Sequence, residues 1–121
     1  VVDTQGEIIG AGHNAPLASC DPSGHAEVRA LREAGQRLGN YRLEGCTLFV
    51  TLEPCMMCAG TMVHARIARL VYGAPEPRTG MVESKANLLA QPWFNHQIEI
   101  TGGVLAVPAK RLLKQFFAEK R

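Results

Sequence analysis

The sequence of 121 residues contains no apolar run that approaches the roughly 20 residues needed to span a bilayer. No basic segment followed by an apolar one opens it, so nothing predicts a membrane anchor or a secretory leader. Internal repeats and low-complexity segments are also absent, and a formal charge of +2 is too small to establish a nucleic-acid partner. A hydrophobic content of 46% with 20% charged residues therefore predicts one globular domain, residues 1–121, with a modest core.

The start of the chain lacks both a methionine and a complete first strand. Val1 and Val2 are too few to form a strand, yet residues 3–6 have the composition of a turn that links two strands. The second of these strands is predicted over residues 7–12. We therefore expect that a further segment precedes Val1, and that the chain without it is aggregation-prone or only partly folded.

The rest of the sequence alternates between helical and strand patterns. Asp21, Pro22, Ser23 and Gly24 supply a turn and cap before a helix that carries apolar residues on one face and closes at Gly39-Asn40. Strands are predicted over 46–52, 67–72 and 97–101, and helices over 54–65, 81–89 and 108–120. A proline-rich loop spans residues 73–80. This alternation predicts an α/β fold.

Two of the four cysteines are spaced for metal binding. If a helix begins at Pro54, Cys55 and Cys58 share its first turn, where the helix dipole favours the thiolate form that binds zinc. Cys46 is predicted to be a small buried hydrophobic residue, and Cys20 lies in a loop. A paired C-x-x-C in a chain of this size favours a metal site in a reducing compartment over two disulfides, so we predict a cytoplasmic protein.

A catalytic zinc needs a third protein ligand and an open fourth position for water. His25, followed by Glu27 at a predicted helix start, offers an imidazole and a carboxylate that is free to move protons. On an ideal helix, positions two apart point about 200° from each other, so His25 and Glu27 are expected to approach the metal from different sides unless the helix end relaxes this. His13, His64 and His96 lack the adjacent acid. A redox dithiol, and a structural zinc site closed by Cys20, remain as alternatives.

The combination H-x-E followed by P-C-x-x-C is the signature of zinc-dependent nucleobase deaminases. Around it, the chain resembles the bacterial tRNA-specific adenosine deaminases, which convert the wobble adenosine of an anticodon to inosine. The likeness is carried by Gly12-His13-Asn14, His25-Ala26-Glu27-Val28, residues 51–60, His64-Ala65-Arg66-Ile67, Tyr72-Gly73-Ala74 and Thr79-Gly80. The general motif also fits deaminases of free bases such as guanine or cytosine, and a non-catalytic zinc-stabilised domain is the further alternative.

The resemblance implies a three-layer α/β/α fold of the cytidine deaminase type, built on a mixed five-stranded sheet. The first helix of that fold and most of its first strand are absent from this chain. It places the missing strand between the strands 7–12 and 46–52. One Zn²⁺ per subunit is then held by His25, Cys55 and Cys58, and Glu27 is the proton shuttle. Substrate contacts are expected from Asn14, which matches the asparagine that contacts the purine, and from Ala26 and Glu76. The loop Pro75-Glu76-Pro77 replaces a basic residue, an aspartate and a small residue of the family, so the acid at the ribose contact is one methylene longer.

The expected partners are a tRNA anticodon stem-loop and a second subunit in a homodimer, with no membrane. The C-terminal segment carries five basic residues against Glu119, which suits either phosphate contact or a solvated helix face. These residues are Lys110, Arg111, Lys114, Lys120 and Arg121. Phe117 and Arg121 are the candidates for RNA contact on this surface.

Overall fold

The computed structural model describes residues 1–15 and 17–119, with the side chains of residues 116–119 excepted, as three helices around a parallel sheet. The elements are α1 (Ala26–Leu38), β1 (Thr47–Leu52), α2 (Met56–Ala65), β2 (Arg69–Ala74), a short 3₁₀ helix (Leu88–Ala90), β3 (Glu99–Thr101) and α3 (Ala106–Glu119). The strands pair in the order β1-β2-β3, with Leu48 opposite Leu70 and Leu70 opposite Ile100. The predicted α/β fold class is confirmed.

The main core lies between one face of the sheet and the helices α1 and α2. Leu48, Leu70 and Tyr72 from the strands are at most 2% exposed and belong to one apolar cluster with Ala34 of α1 and Met62 of α2. Because side chains alternate along a strand, Gly73 belongs to the opposite face of β2. A Cβ on Gly73 would lie 3.3 Å from the Cβ of Ala109 in α3, so α3 covers that face at close range.

The first residues of the chain lie at the position that the resemblance assigns to the first strand. Val2 forms isolated antiparallel bridges with both Ile8 and Thr47, and its N–H donates to the Thr47 carbonyl at 2.8 Å. The prediction that this strand separates residues 7–12 from β1 is therefore confirmed. Five strands were expected; among the described residues three form the ladder, and the other two are reduced to these bridges.

The strand predicted over residues 7–12 is present only in part. Beside the bridge at Ile8, the Ile9 N–H donates to the Val1 carbonyl at 2.9 Å and the Val1 amino group donates to the Gly10 carbonyl at 2.7 Å, whereas residues 11–12 are not in a strand. Two glycines bring this segment against α1, where a Cβ on Gly10 would stand 2.2 Å from the Ala30 carbonyl oxygen and one on Gly12 would stand 2.8 Å from that of Ala26. This close approach to the backbone of α1 leaves room only for glycine at these two positions.

Several predicted boundaries shift, and one predicted helix is absent. β2 lies two residues later than the predicted strand 67–72, and α3 begins two residues before the predicted helix 108–120. Residues 81–89 form turns that lead into the 3₁₀ helix, not the expected helix. The reason is not local, because the backbone N–H groups of Val82, Glu83 and Ser84 converge on the side chain of Glu53, about 30 residues earlier, and this holds the segment in turns around that carboxylate.

Candidate metal centre

His25 occupies the N-cap of α1 and has an extended backbone, with φ −75° and ψ 150°. The turn before it is closed by Asp21, whose carboxylate accepts hydrogen bonds from the Ser23 N–H at 2.9 Å and the Ser23 hydroxyl at 2.7 Å. Because His25 is not helical, the angular separation of about 200° expected for helical positions two apart does not apply to His25 and Glu27.

Cys55 occupies the equivalent position at the N-cap of α2, with φ −80° and ψ 178°. The helix therefore begins two residues after Pro54, so the predicted start at Pro54 is wrong, but the predicted meeting of the two thiols holds. Cys58 lies in the first turn with no exposed surface, and its Sγ is 3.7 Å from the Sγ of Cys55.

The Nδ1 atom of His25 completes a nearly equilateral triangle with the two sulfurs. It lies 3.6 Å from Cys55 Sγ and 3.5 Å from Cys58 Sγ. A tetrahedral zinc with ordinary Zn–S and Zn–N bond lengths separates two sulfurs by about 3.8 Å and a sulfur from a nitrogen by about 3.6 Å. The three donor atoms thus already stand at the spacing of a zinc site, and they form a metal-competent group.

The charge balance of this cluster also suits a cation. Burial raises the pKa of the Cys58 thiol, and the neighbouring Glu27 carboxylate and Cys55 thiol raise it further. A buried thiol beside a carboxylate and a second thiol resists ionisation because the negative charges would lie side by side. A divalent cation removes this obstacle, since metal binding deprotonates a coordinating thiol outright. The donor set therefore fits Zn²⁺.

The other candidate ligands lie outside the cluster. Cys20 is exposed, with its thiol 3.8 Å from the Leu17 carbonyl oxygen, so the interpretation of a zinc site closed by Cys20 receives no support. A ring nitrogen of His96 lies 2.6 Å from the Ile67 carbonyl oxygen, and both His13 and His64 are exposed. Cys46 is 2% exposed, as predicted for a small buried residue.

A buried carboxylate that no sequence pattern predicted lies two residues before Cys55. Glu53 is 3% exposed, and its two oxygens accept hydrogen bonds at 2.8–3.0 Å from the backbone N–H groups of Glu76, Val82, Glu83 and Ser84. The Ser84 hydroxyl is a fifth donor. The only available signal was an acidic residue at the end of an apolar strand.

The environment of Glu53 stabilises its negative charge. Burial opposes ionisation and would raise the pKa, but the hydrogen bonds from Glu83, Ser84 and Glu76 outweigh it and lower the pKa to about 2. A carboxylate that accepts several backbone N–H bonds remains ionised even when it is buried.

Three of the five predicted substrate contacts, Asn14, Ala26 and Glu76, lie on segments that are linked to residues next to the metal-competent group. The N–H of Ala15 donates to the Gly24 carbonyl at 2.8 Å, which brings the exposed Asn14 beside the residue that precedes His25. Ala26 is the first residue of α1. The Glu76 loop is tied to Glu53 through the Glu76 N–H. Arg121 lies outside the described residues, and so does the side chain of Phe117.

Comparisons with known proteins show the family of the chain. Residues 1–74 match the cytidine and deoxycytidylate deaminase zinc-binding region. The chain is 45% identical to the tRNA-specific adenosine deaminase of Haemophilus influenzae over 121 residues, which is all of this chain and 70% of that protein. It is 46% identical over its full length to the tRNA(Ile)-lysidine synthase of Deinococcus deserti, of which it spans 22%. A solved structure described for A-to-I editing by tRNA:A34 deaminases superposes with a TM-score of 0.86 at 38% identity, covering 93% of this chain and 80% of that one.

Proposed function

Since the chain belongs to the tRNA-specific adenosine deaminases, within the cytidine and deoxycytidylate deaminase zinc-binding family, we propose that it hydrolyses the wobble adenosine of a tRNA anticodon to inosine. The observation that carries this proposal is the triangle of His25, Cys55 and Cys58 with Glu27 beside it. These three residues would hold one Zn²⁺ per subunit, and three ligands leave a position for water.

A zinc ion bound there supplies a water molecule whose pKa is lowered toward neutrality. The chemistry of the chain itself rests on Glu27, which lies next to the ligands and is not one of them. Its carboxylate accepts a proton from the attacking water and delivers it to N1 of the adenine ring as oxygen bonds to C6. The same carboxylate then transfers the second water proton to the departing amino group. Water and adenosine are consumed, and inosine and ammonia are produced.

The positions of Asn14, Ala26 and Glu76 on segments near the centre support a role in substrate contact. Asn14 and Ala26 flank His25, so we place the purine against them, and Glu76 is placed at the ribose. A base within a stacked duplex cannot enter such a pocket, whereas an unpaired anticodon base can do so at little cost. Affinity for the surrounding phosphates comes from the exposed basic residues of α3, which include Lys110, Arg111 and Lys114.

A homodimer and a cytoplasmic location complete the proposal. The dimer follows from the resemblance, and we place the subunit contact at a groove of about 510 Å³ between α1 and α2, which has Tyr41 at its edge, 68% exposed. A Tyr41→Lys variant that remained dimeric in sedimentation would place the subunit contact elsewhere. In the described part of the chain, every helix is too short or too polar to traverse a bilayer.

The direct test is to incubate the zinc-loaded protein with an anticodon stem-loop that carries adenosine at the wobble position and to measure inosine. A matched stem-loop with adenosine at a neighbouring loop position is the control. Wobble-specific inosine supports the proposal. Turnover of free guanine or cytosine, with none on the stem-loop, would assign the chain to the deaminases of free bases, and zinc binding without turnover of any of them would indicate a non-catalytic domain.

A further inference from the structure

The loop of residues 75–84 is built around a single buried anion. The Glu53 carboxylate receives hydrogen bonds from the N–H of Glu76 near one end of this loop and from Val82, Glu83 and Ser84 at the other. It thereby draws together residues that are up to eight positions apart. Neither of the two ion pairs in the described residues includes Glu53, so these N–H groups and the Ser84 hydroxyl take the place of a basic partner.

The loop approaches the carboxylate so closely that one position requires glycine. A Cβ on Gly80 would stand 2.4–2.6 Å from the carboxylate atoms of Glu53, well inside van der Waals contact. Gly80 also donates its N–H to the Glu76 carbonyl at 2.9 Å, which closes the loop on itself. The path of residues 76–80 and the position of the Glu53 carboxylate are therefore mutually dependent.

The same anchor links the loop to the metal centre. The Glu53 N–H donates to the Ala74 carbonyl, and the Pro54 carbonyl accepts the N–H of Met81, both at 2.9 Å. Cys55, a proposed zinc ligand, is the next residue. Glu76 is consequently held at a set position relative to the metal centre, although it lies 21 residues from Cys55 along the chain.

We propose that Glu53 is a positioning residue for substrate recognition, which holds the Glu76 carboxylate where it meets the ribose of the target nucleotide. This inference rests on the proposed function, because it assumes an RNA substrate. Glu53 touches neither substrate nor metal; it acts through Glu76. Its loss should therefore weaken RNA binding and leave the zinc content unchanged.

The test is a double-mutant cycle that measures the Kd of the zinc-loaded protein for a fluorescent anticodon stem-loop. Glu53→Gln replaces two acceptor oxygens by one oxygen and an NH₂ group that faces N–H donors, so the loop loses its anchor. Glu76→Gln keeps the backbone N–H, removes the charge and leaves one oxygen that can still accept the Arg78 N–H, which Glu76 Oε1 accepts at 2.9 Å. Each single variant should bind about tenfold more weakly, and the double variant no more weakly than Glu76→Gln alone. Glu44→Gln, an exposed acid outside the loop, is the control.

Three results would overturn the inference. The first is an RNA affinity of Glu53→Gln equal to that of wild type. The second is a double variant whose affinity falls by the product of the two single-variant factors. The third is a loss of zinc from Glu53→Gln that parallels its loss of affinity. If Glu53→Gln does not fold, Ser84→Ala takes its place, since it removes a single hydrogen-bond donor to Glu53. It should weaken RNA binding about twofold to threefold in the wild-type background and leave the Kd unchanged in the Glu76→Gln background. Equal losses in both backgrounds would again reject the role.

Hydrogen exchange supplies a readout that does not depend on RNA. The N–H groups of residues 76 and 82–84 should exchange faster in Glu53→Gln and Ser84→Ala than in wild type or Glu44→Gln. Unchanged exchange would overturn the anchoring step. If the wild-type chain binds the stem-loop without producing inosine, only the proposed function is contradicted, because the Kd values of the four proteins in the cycle still test the role of Glu53. If the wild-type chain does not bind the stem-loop, both the proposed function and this inference are contradicted.

Discussion

Glu53 and Cys58 are both buried acidic groups, five positions apart, and their surroundings shift their pKa values in opposite directions. Burial raises the pKa of Cys58, and Glu27 and Cys55 raise it further. Burial acts the same way on Glu53, but backbone N–H groups and the Ser84 hydroxyl bring its pKa down to about 2. Burial acts upward on both pKa values; at Glu53 the hydrogen-bond donors reverse its effect, whereas at Cys58 the neighbours add to it.

This contrast separates a site that needs a ligand from one that does not. The negative charge of Glu53 is matched by donors of the chain itself, so nothing further is required there. Around Cys58 the neighbours are acidic, and the three donor atoms face one another at the spacing of a tetrahedral metal site. A buried thiol grouped with a second thiol, an imidazole and a carboxylate thus indicates a cation site, and a buried carboxylate with many internal donors indicates a structural anchor.

The largest effect is expected from breaking the ligand cluster. Cys58→Ser replaces a thiolate by a hydroxyl that is a poor zinc ligand, so zinc affinity should fall by at least about a hundredfold. Metal content after dialysis, measured by atomic emission, provides the check. Cys20→Ser, which alters an exposed thiol outside the cluster, should retain full zinc. Full occupancy in Cys58→Ser would exclude this residue as a ligand.

The second prediction concerns Glu27, whose substitution should greatly slow turnover without affecting metal binding. Glu27→Gln keeps the side-chain volume but cannot accept the proton of water, so turnover of the stem-loop should fall by at least about a hundredfold. Zinc content should stay near that of wild type. Turnover comparable with that of wild type would remove Glu27 from the mechanism.

Removing the charge of Glu53 should lower stability. Glu53→Gln keeps one acceptor oxygen, so some of the buried and partly buried N–H groups around it lose their acceptor, at an expected cost of about 3 kcal/mol in the free energy of unfolding. Urea denaturation of the zinc-loaded protein measures this cost. Glu44→Gln should stay within about 0.5 kcal/mol of wild type, because that carboxylate is exposed. A Glu53→Gln variant as stable as wild type would contradict the assignment of a structural anchor.

The smallest expected effect tests the fit between the loop and the carboxylate. Gly80→Ala forces the new methyl group against Glu53 and should cost about 2 kcal/mol. In a Glu53→Ala background the obstacle is gone, so the same substitution should cost less than about 1 kcal/mol. Equal costs measured by urea denaturation in both backgrounds would place the strain elsewhere in the loop.

Local patterns predicted much of this molecule. The closing of α1 at Gly39 is such a case, since Gly39 takes the left-handed conformation with φ 66°. The meeting of Cys55 and Cys58 is another, because a spacing of three brings two side chains to one side of a helix start even though the helix begins later than predicted. The failure at residues 81–89 is of a different kind, because the donors of that segment bond to a carboxylate about 30 residues away.

The sequence by itself determined the α/β alternation, the pairing of the thiols and the candidacy of His25 and Glu27, because these depend on periodicity and spacing over a few residues. Only the tertiary structure decided that Glu53 is an anchor and that Gly10 and Gly12 allow their segment to lie close to the backbone of α1. The distances of 3.5–3.7 Å between the donor atoms of His25, Cys55 and Cys58 also come from the tertiary structure alone. The physical reason is that hydrogen bonds and close contacts between residues 14 to 33 positions apart depend on how the elements pack, which no local pattern records.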